Sequence, residues 1–133
     1  MKIVAIVCRV LLGLGFVVFG LNGFLHFMST GPTPPADSLV GKFFASMMGS
    51  GWMKVVAAMQ VIGGALVLIG GTAPLGLVVL GPILFNILCF HLLLTGGSGI
   101  APGLVFTIFE LVLIYAYRPY FSGIFSTKAV PQA

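Results

Sequence analysis

A few polar side chains interrupt the apolar stretches of this 133-residue chain, and these side chains are its candidates for chemistry. Two of them carry opposite charges, Arg9 and Glu110. Five more are amides or imidazoles, namely Asn22, His26, Gln60, Asn86 and His91. Hydrocarbon solvates such groups poorly, so each must face protein, water or a ligand. The charged set predicts an ion pair, and the neutral set predicts a hydrogen-bonding pocket.

Arg9 and Glu110 are predicted to lie at the same depth. At about 1.5 Å per helical residue, Arg9 is about 9 Å from one membrane boundary and Glu110 is about 12 Å from the same boundary. Because an unpaired buried carboxylate is costly, we expect an Arg9–Glu110 contact, or a neutral Glu110 if the two helix faces do not meet. The alternatives are that Arg9 extends to the interface and that Glu110 handles protons or binds a ligand.

The amide and imidazole side chains come from three predicted helices and share the other half of the membrane. Their first interpretation is a pocket for a quinone or a similar lipid-soluble ligand. In the second interpretation, His26 and His91 are the axial ligands of a haem. This alternative is weaker, because the only evidence for it is two histidines near opposite helix ends. In the third, the five groups hydrogen-bond one another and fix the bundle.

The spacing within this polar layer adds a constraint. Asn86 and His91 are five residues apart, about 140° around an ideal helix, so they face the same way only if a kink at Pro82 rotates one of them. A metal site is not expected, because no carboxylate or thiolate completes a ligand set. Cys8 and Cys89 are expected to lie more than about 15 Å apart, which excludes a disulfide and a dithiol relay.

Composition predicts the class of protein. The chain is 59% hydrophobic and 6% charged, with a mean hydropathy of +1.23, so a soluble domain is excluded. Its six Lys/Arg and two Asp/Glu lie singly along the sequence, which argues against nucleic-acid binding. In a membrane protein, single basic residues are topology signals.

We therefore predict one all-α domain over residues 1–133, a four-helix transmembrane bundle with an added interfacial amphipathic helix. The third span has no charged residue and is about 33 Å long, enough to cross a bilayer core of about 30 Å. Pro82 is expected to kink it and to free the carbonyl of Val78. The predicted spans are about 3–27, 52–69, 73–94 and 100–117, and the interfacial helix is about 34–49.

The interfacial helix is predicted from its start signals and its polar face. Thr33 is its expected N-cap, with Pro34 and Pro35 in the first turn and Asp37 near the positive end of the helix dipole. Its polar face consists of residues four apart in sequence, Ser38, Lys42, Ser46 and Ser50. Such a helix lies in the membrane interface rather than crossing it.

Charge predicts the orientation. Lys2, Arg9, Arg118 and Lys128 fall on one side of the predicted membrane, and Lys42 and Lys54 fall on the other. Basic residues favour the cytoplasm. Both termini are therefore expected in the cytoplasm.

The first span carries a family pattern. Arg9-Val-Leu-Leu-Gly-Leu-Gly-Phe16, followed by Gly20, resembles the R-x-x-L-G-x-x-F-x-x-x-G opening of the DoxX/DoxD family of small bacterial membrane proteins. Further similar segments are Pro34 to Ala36, Lys54 to Gly63, Pro82 to His91 and Glu110 to Arg118. The resemblance implies a four-helix membrane bundle, and some members resemble or are subunits of thiosulfate:quinone oxidoreductases. Arg9 and Glu110 match the pattern as candidate functional residues, whereas Gln60 stands where relatives often carry Glu.

The expected function follows from the resemblance and the polar layer. It is a small membrane subunit or accessory of a quinone-linked redox system, with quinone as the candidate ligand. The alternative is a non-catalytic lipid-binding, transport or assembly protein. The expected partners are membrane lipids, a soluble or membrane-bound redox protein and a second copy of the chain, with no nucleic acid.

Overall fold

A computed structural model describes residues 1–132, and all the regular secondary structure within them is helical. Three of its five α-helices, α1, α3 and α4, are long and apolar enough to cross a membrane. These helices indicate a membrane protein. The helices are α1 (Lys2–Leu25), α2 (Leu39–Gly49), α3 (Trp52–Ile69), α4 (Ala73–Leu93) and α5 (Ala101–Ala116), followed by 3-10 turns at Arg118–Tyr120 and Ser122–Phe125.

The long helices pack in chain order, and α5 returns to the first of them. α3 packs against both α1 and α4, and α5 contacts α1 and α4. The buried core is made of side chains from all four: Leu12, Phe16, Val67, Leu77, Leu80 and Leu113. Large apolar side chains also point outward, such as Ile3 (77% exposed) and Leu93 (78% exposed). An exposed apolar surface of this extent is suited to lipid rather than water.

Glycines bring the backbones of α1 and α3 into contact. A Cβ atom on Gly64 would lie 2.7 Å from the carbonyl oxygen of Gly13, and one on Gly13 would lie 2.9 Å from that of Gly64. A Cβ atom on Gly20 would lie 2.8 Å from the carbonyl oxygen of Ala57. Small residues allow this approach, which increases van der Waals contact between helices. The glycines of the first span thus form a packing face.

α1 ends at Leu25, earlier than the predicted boundary at residue 27. His26 adopts a left-handed conformation with φ of 50°, and its N–H donates to the carbonyl of Asn22. The Asn22 side chain accepts from the Met28 N–H at 2.7 Å and donates to the Met28 carbonyl at 3.3 Å. This side chain stabilises the turn that ends the helix. His26, which the predicted first span includes, therefore lies beyond the end of α1.

α2 also differs from its prediction, because it begins at Leu39 rather than at residue 34. Its N-cap is Ser38, whose hydroxyl accepts from the Gly41 N–H at 3.0 Å and donates to the Pro35 carbonyl at 2.6 Å. Thr33 and Asp37 consequently lie in the preceding connection. Phe43 and Phe44 of α2 contact Phe90 of α4, with ring centroids 5.2 and 5.5 Å apart, which holds α2 against the end of the long helices.

Candidate functional site

Glu110 is the candidate site residue that most requires an explanation. It lies on the inward face of α5 and is 4% exposed, and neither of its carboxyl oxygens has a hydrogen-bond partner among the residues that the structure describes. Leaving a buried polar group unpaired costs about 1–3 kcal/mol. Such groups are few in native proteins, and a ligand is one of the explanations for them.

Gly81 of α4 faces this carboxyl group. A Cβ atom on Gly81 would be 3.5 Å from Oε1 of Glu110, so the carboxyl lies directly against the backbone of α4. Pro82 follows, and because proline has no N–H, the Val78 carbonyl loses its donor within the helix. A carboxyl group and a carbonyl without its helical donor are therefore neighbours along one short stretch of the α4–α5 contact.

These groups border a groove of about 230 Å³. Among residues 1–132, Glu110 is the only titratable side chain that lines it. The other lining residues come from three places: Leu77, Val78, Gly81 and Pro82 of α4, Ile114 of α5, and Phe121, Ile124 and Phe125 of the C-terminal turns. A protonated Glu110 here can donate a hydrogen bond to a ligand carbonyl, and an ionised one can bind a cation or an amine. The apolar walls suit a ring or an alkyl group.

Arg9 does not reach this groove. Its Nη1 atom donates to the carbonyl of Leu68 at 3.1 Å, in the last turn of α3. Thr72 donates to the carbonyl of Leu66 in the same turn at 2.7 Å. The carbonyls at a helix C-terminus lack intrahelical partners and carry partial negative charge, so they attract the guanidinium. Within residues 1–132, Arg9 therefore caps α3 and makes no hydrogen bond to Glu110, and the other branch of the prediction, a neutral Glu110, stays a prediction.

The five amide and imidazole residues do not form a network. Asn86 donates to the carbonyl of Pro82 in its own helix at 2.8 Å. His91 has its Nδ1 atom 2.8 Å from the carbonyl oxygen of Ser98, in the loop that follows α4. Asn22 bonds to Met28 as described, His26 is exposed at the end of α1, and Gln60 is half-buried on α3. Within residues 1–132, no hydrogen bond joins any two of them, so their predicted ligand-binding role stays a prediction.

The sequence singles out Glu110 and Pro82 individually, but it does not predict that they line the same groove. Depth is the signal that could have found this contact: Gly81 lies about 12 Å from the start of α4, and Glu110 is predicted to lie about 12 Å from the same membrane boundary. The sequence does not predict that α4 is the helix that packs against Glu110 of α5. That depends on packing between helices rather than on the local sequence.

The remaining chemistry-bearing residues are separate. Cys8 is buried and Cys89 is half-buried, and both are free thiols. Among the described residues, no three His, Cys, Asp or Glu side chains come together as metal ligands. Comparison with known proteins gave no matching family model, no matching curated protein and no matching solved structure.

Proposed function

We propose that this chain is a multi-pass protein of the bacterial inner membrane that serves as a small membrane subunit or accessory of a quinone-linked redox system. The groove at Glu110 would hold the lipid-soluble ligand. The observation that carries this proposal is the buried Glu110 carboxyl, which has no hydrogen-bond partner within residues 1–132 and borders an apolar groove.

The chemistry of the groove fits a quinone head. Among residues 1–132, no basic side chain forms a hydrogen bond with Glu110. In apolar surroundings, burying a neutral carboxyl group costs far less free energy than burying an ionised one. A neutral Glu110 donates one O–H, which is what a quinone carbonyl accepts. A cavity of about 150 Å³ holds benzene, so about 230 Å³ accommodates one substituted ring. The bound ligand would supply the redox chemistry, and this chain would orient it and exclude water.

The resemblance to the DoxX/DoxD family agrees with this proposal. Arg9 and Glu110 are the two candidate functional residues that match the family pattern, and their contacts differ. Arg9 caps α3, whereas Glu110 faces the groove. In this proposal α5 is the fourth span, and α2 lies in the interface with Lys42 exposed.

The test is retention of endogenous quinone by the purified protein. The wild type, Glu110→Gln and Glu110→Leu are purified in mild detergent, and each extract is quantified by mass spectrometry. Glutamine keeps an N–H donor, whereas leucine keeps only the volume of the side chain. We therefore expect the wild type and Glu110→Gln to retain quinone. Glu110→Leu should retain less by about tenfold or more, equivalent to about 1.4 kcal/mol of binding free energy.

Asn86→Leu is the matched control, because it removes a polar side chain of α4 outside this groove. We expect it to retain quinone like the wild type. Loss of quinone in Asn86→Leu but not in Glu110→Leu would move the site to the layer of amides and imidazoles. A wild-type extract without quinone would overturn the redox proposal and favour the alternative, a non-catalytic lipid-binding, transport or assembly protein.

A further inference from the structure

A second groove lies between the start of α1 and the end of α5. Its volume is about 470 Å³. Lys2 and Arg9 of α1 line one side, and Tyr117 and Arg118 line the other. Three of the six basic side chains of the chain therefore meet here, and neither of its two acidic side chains lines the groove.

Both guanidinium groups are held in place and still have free donors. Arg118 donates from Nη1 to the carbonyl of Tyr115 at 2.9 Å, and its Cζ atom lies 4.4 Å from the centroid of the Tyr115 ring. Arg9 donates from Nη1 to Leu68. A guanidinium has five N–H donors, so each described bond leaves others for a ligand. Side chains that are already ordered lose less entropy when they bind.

This arrangement selects an anion with several acceptor oxygens. Like charges in one groove repel each other, and an anion between them removes that repulsion. Guanidinium groups bind phosphate through paired hydrogen bonds, and Lys2 adds a mobile ammonium. Basic pockets between transmembrane helices are known sites for anionic lipid head groups.

We propose that this groove binds the phosphate of an anionic phospholipid. The lipid is favoured over free phosphate because the groove has apolar as well as basic walls, with Ala5 and Ile6 beside the charges. The neighbouring side chains of Ile3 and Val7 are also exposed. An acyl chain can therefore lie along the first turns of α1 while its phosphate contacts Arg9 and Arg118.

The test compares lipid retention by native mass spectrometry. Protein with a C-terminal tag is equilibrated with mixed micelles that contain equal amounts of phosphatidylglycerol and phosphatidylcholine. The variant is the double substitution Lys2→Gln/Arg118→Gln, which leaves the Arg9 cap of α3 intact. Its control is Lys42→Gln/Lys54→Gln, which removes the same charge from exposed positions on α2 and α3.

We expect the wild type and the control to prefer phosphatidylglycerol by about tenfold, agreeing with each other within about twofold. The Lys2→Gln/Arg118→Gln variant should bind the two lipids about equally. Equal binding of both lipids by the wild type would overturn the proposal, and so would an equal loss of preference in the control variant. In a second arm, inorganic phosphate is added, and displacement of phosphatidylglycerol at similar concentrations would assign the groove to a free anion instead.

Discussion

At the scale of single residues, Arg9 and Glu110 show that charge and depth do not determine a partner. Both lie within apolar helices and were predicted to share one depth, yet among residues 1–132 Arg9 bonds to a backbone carbonyl and Glu110 has no hydrogen-bond partner. A helix C-terminus offers several unpaired carbonyls at the level of Arg9. A cap of this kind needs no second charged residue, so Arg9 does not require Glu110 as its partner.

A double-mutant cycle tests this separation. We expect Arg9→Gln to lower the free energy of unfolding in mixed micelles by about 1 kcal/mol, since it removes a charged hydrogen bond to Leu68. Glu110→Gln should have little effect, because no protein partner is lost. The effects should add within about 0.5 kcal/mol in the double variant. A coupling energy well above that value would mean that Arg9 and Glu110 interact directly, as in an ion pair.

At the scale of helices, the contact between α1 and α3 depends on the absence of side chains. Gly64→Ala places a methyl group 2.7 Å from the carbonyl oxygen of Gly13, and backbone cannot move aside as a side chain can. We expect it to reduce stability by about 1–3 kcal/mol, measured as a lower thermal midpoint in detergent.

Gly49→Ala is the matched control for this prediction. Gly49 is also helical, but a Cβ atom there would meet no atom within 4 Å. Alanine has a higher helix propensity than glycine, so the thermal midpoint of this variant should equal or slightly exceed that of the wild type. If both variants lost the same stability, glycine at position 64 would matter for the backbone of α3 and not for its approach to α1.

The sequence predicted the helices better than their ends. Long apolar segments separated by glycine and proline predict helices directly, and α3 has the predicted bounds, Trp52–Ile69. The errors arose where a side chain competes with a helix for backbone groups. Asn22 bonds to Met28 and ends α1, and Ser38 rather than Thr33 caps α2. Several residues of suitable type lie near each end, and the local pattern does not select among them.

The candidate site was harder to predict for the same kind of reason. Glu110 and Pro82 were recognisable individually, because a carboxylate and a proline are unusual in apolar helices. Their meeting depends on α5 packing against α4 beside Gly81, and the helical period alone does not predict that pairing. The basic groove was missed likewise, since Lys2 and Arg118 are far apart in sequence and meet only when α5 returns to α1.

At the scale of the whole molecule, this return determines the topology. The first residues of α1 and the last of α5 line one groove, so the two helix ends lie at the same end of the protein. Because α1 begins at this end and α5 finishes there, the two helices run antiparallel. α5 has 16 residues, or about 24 Å, and the turns at Arg118–Tyr120 extend it. With α5 as the fourth span, as proposed above, the chain would cross the membrane four times rather than three.

Cysteine labelling in spheroplasts distinguishes these topologies. Cys8 and Cys89 are first replaced by alanine, and single cysteines are introduced by Ser46→Cys on α2, Gly71→Cys in the α3–α4 turn and Ser126→Cys after α5. All three positions are exposed. With four spans and cytoplasmic termini, a membrane-impermeant maleimide should label only the Ser46→Cys protein, and the other two should react after permeabilisation. Labelling of Ser126→Cys together with Ser46→Cys would mean that α5 does not cross. Labelling of Gly71→Cys and Ser126→Cys but not of Ser46→Cys would keep four spans and reverse the orientation predicted from the basic residues.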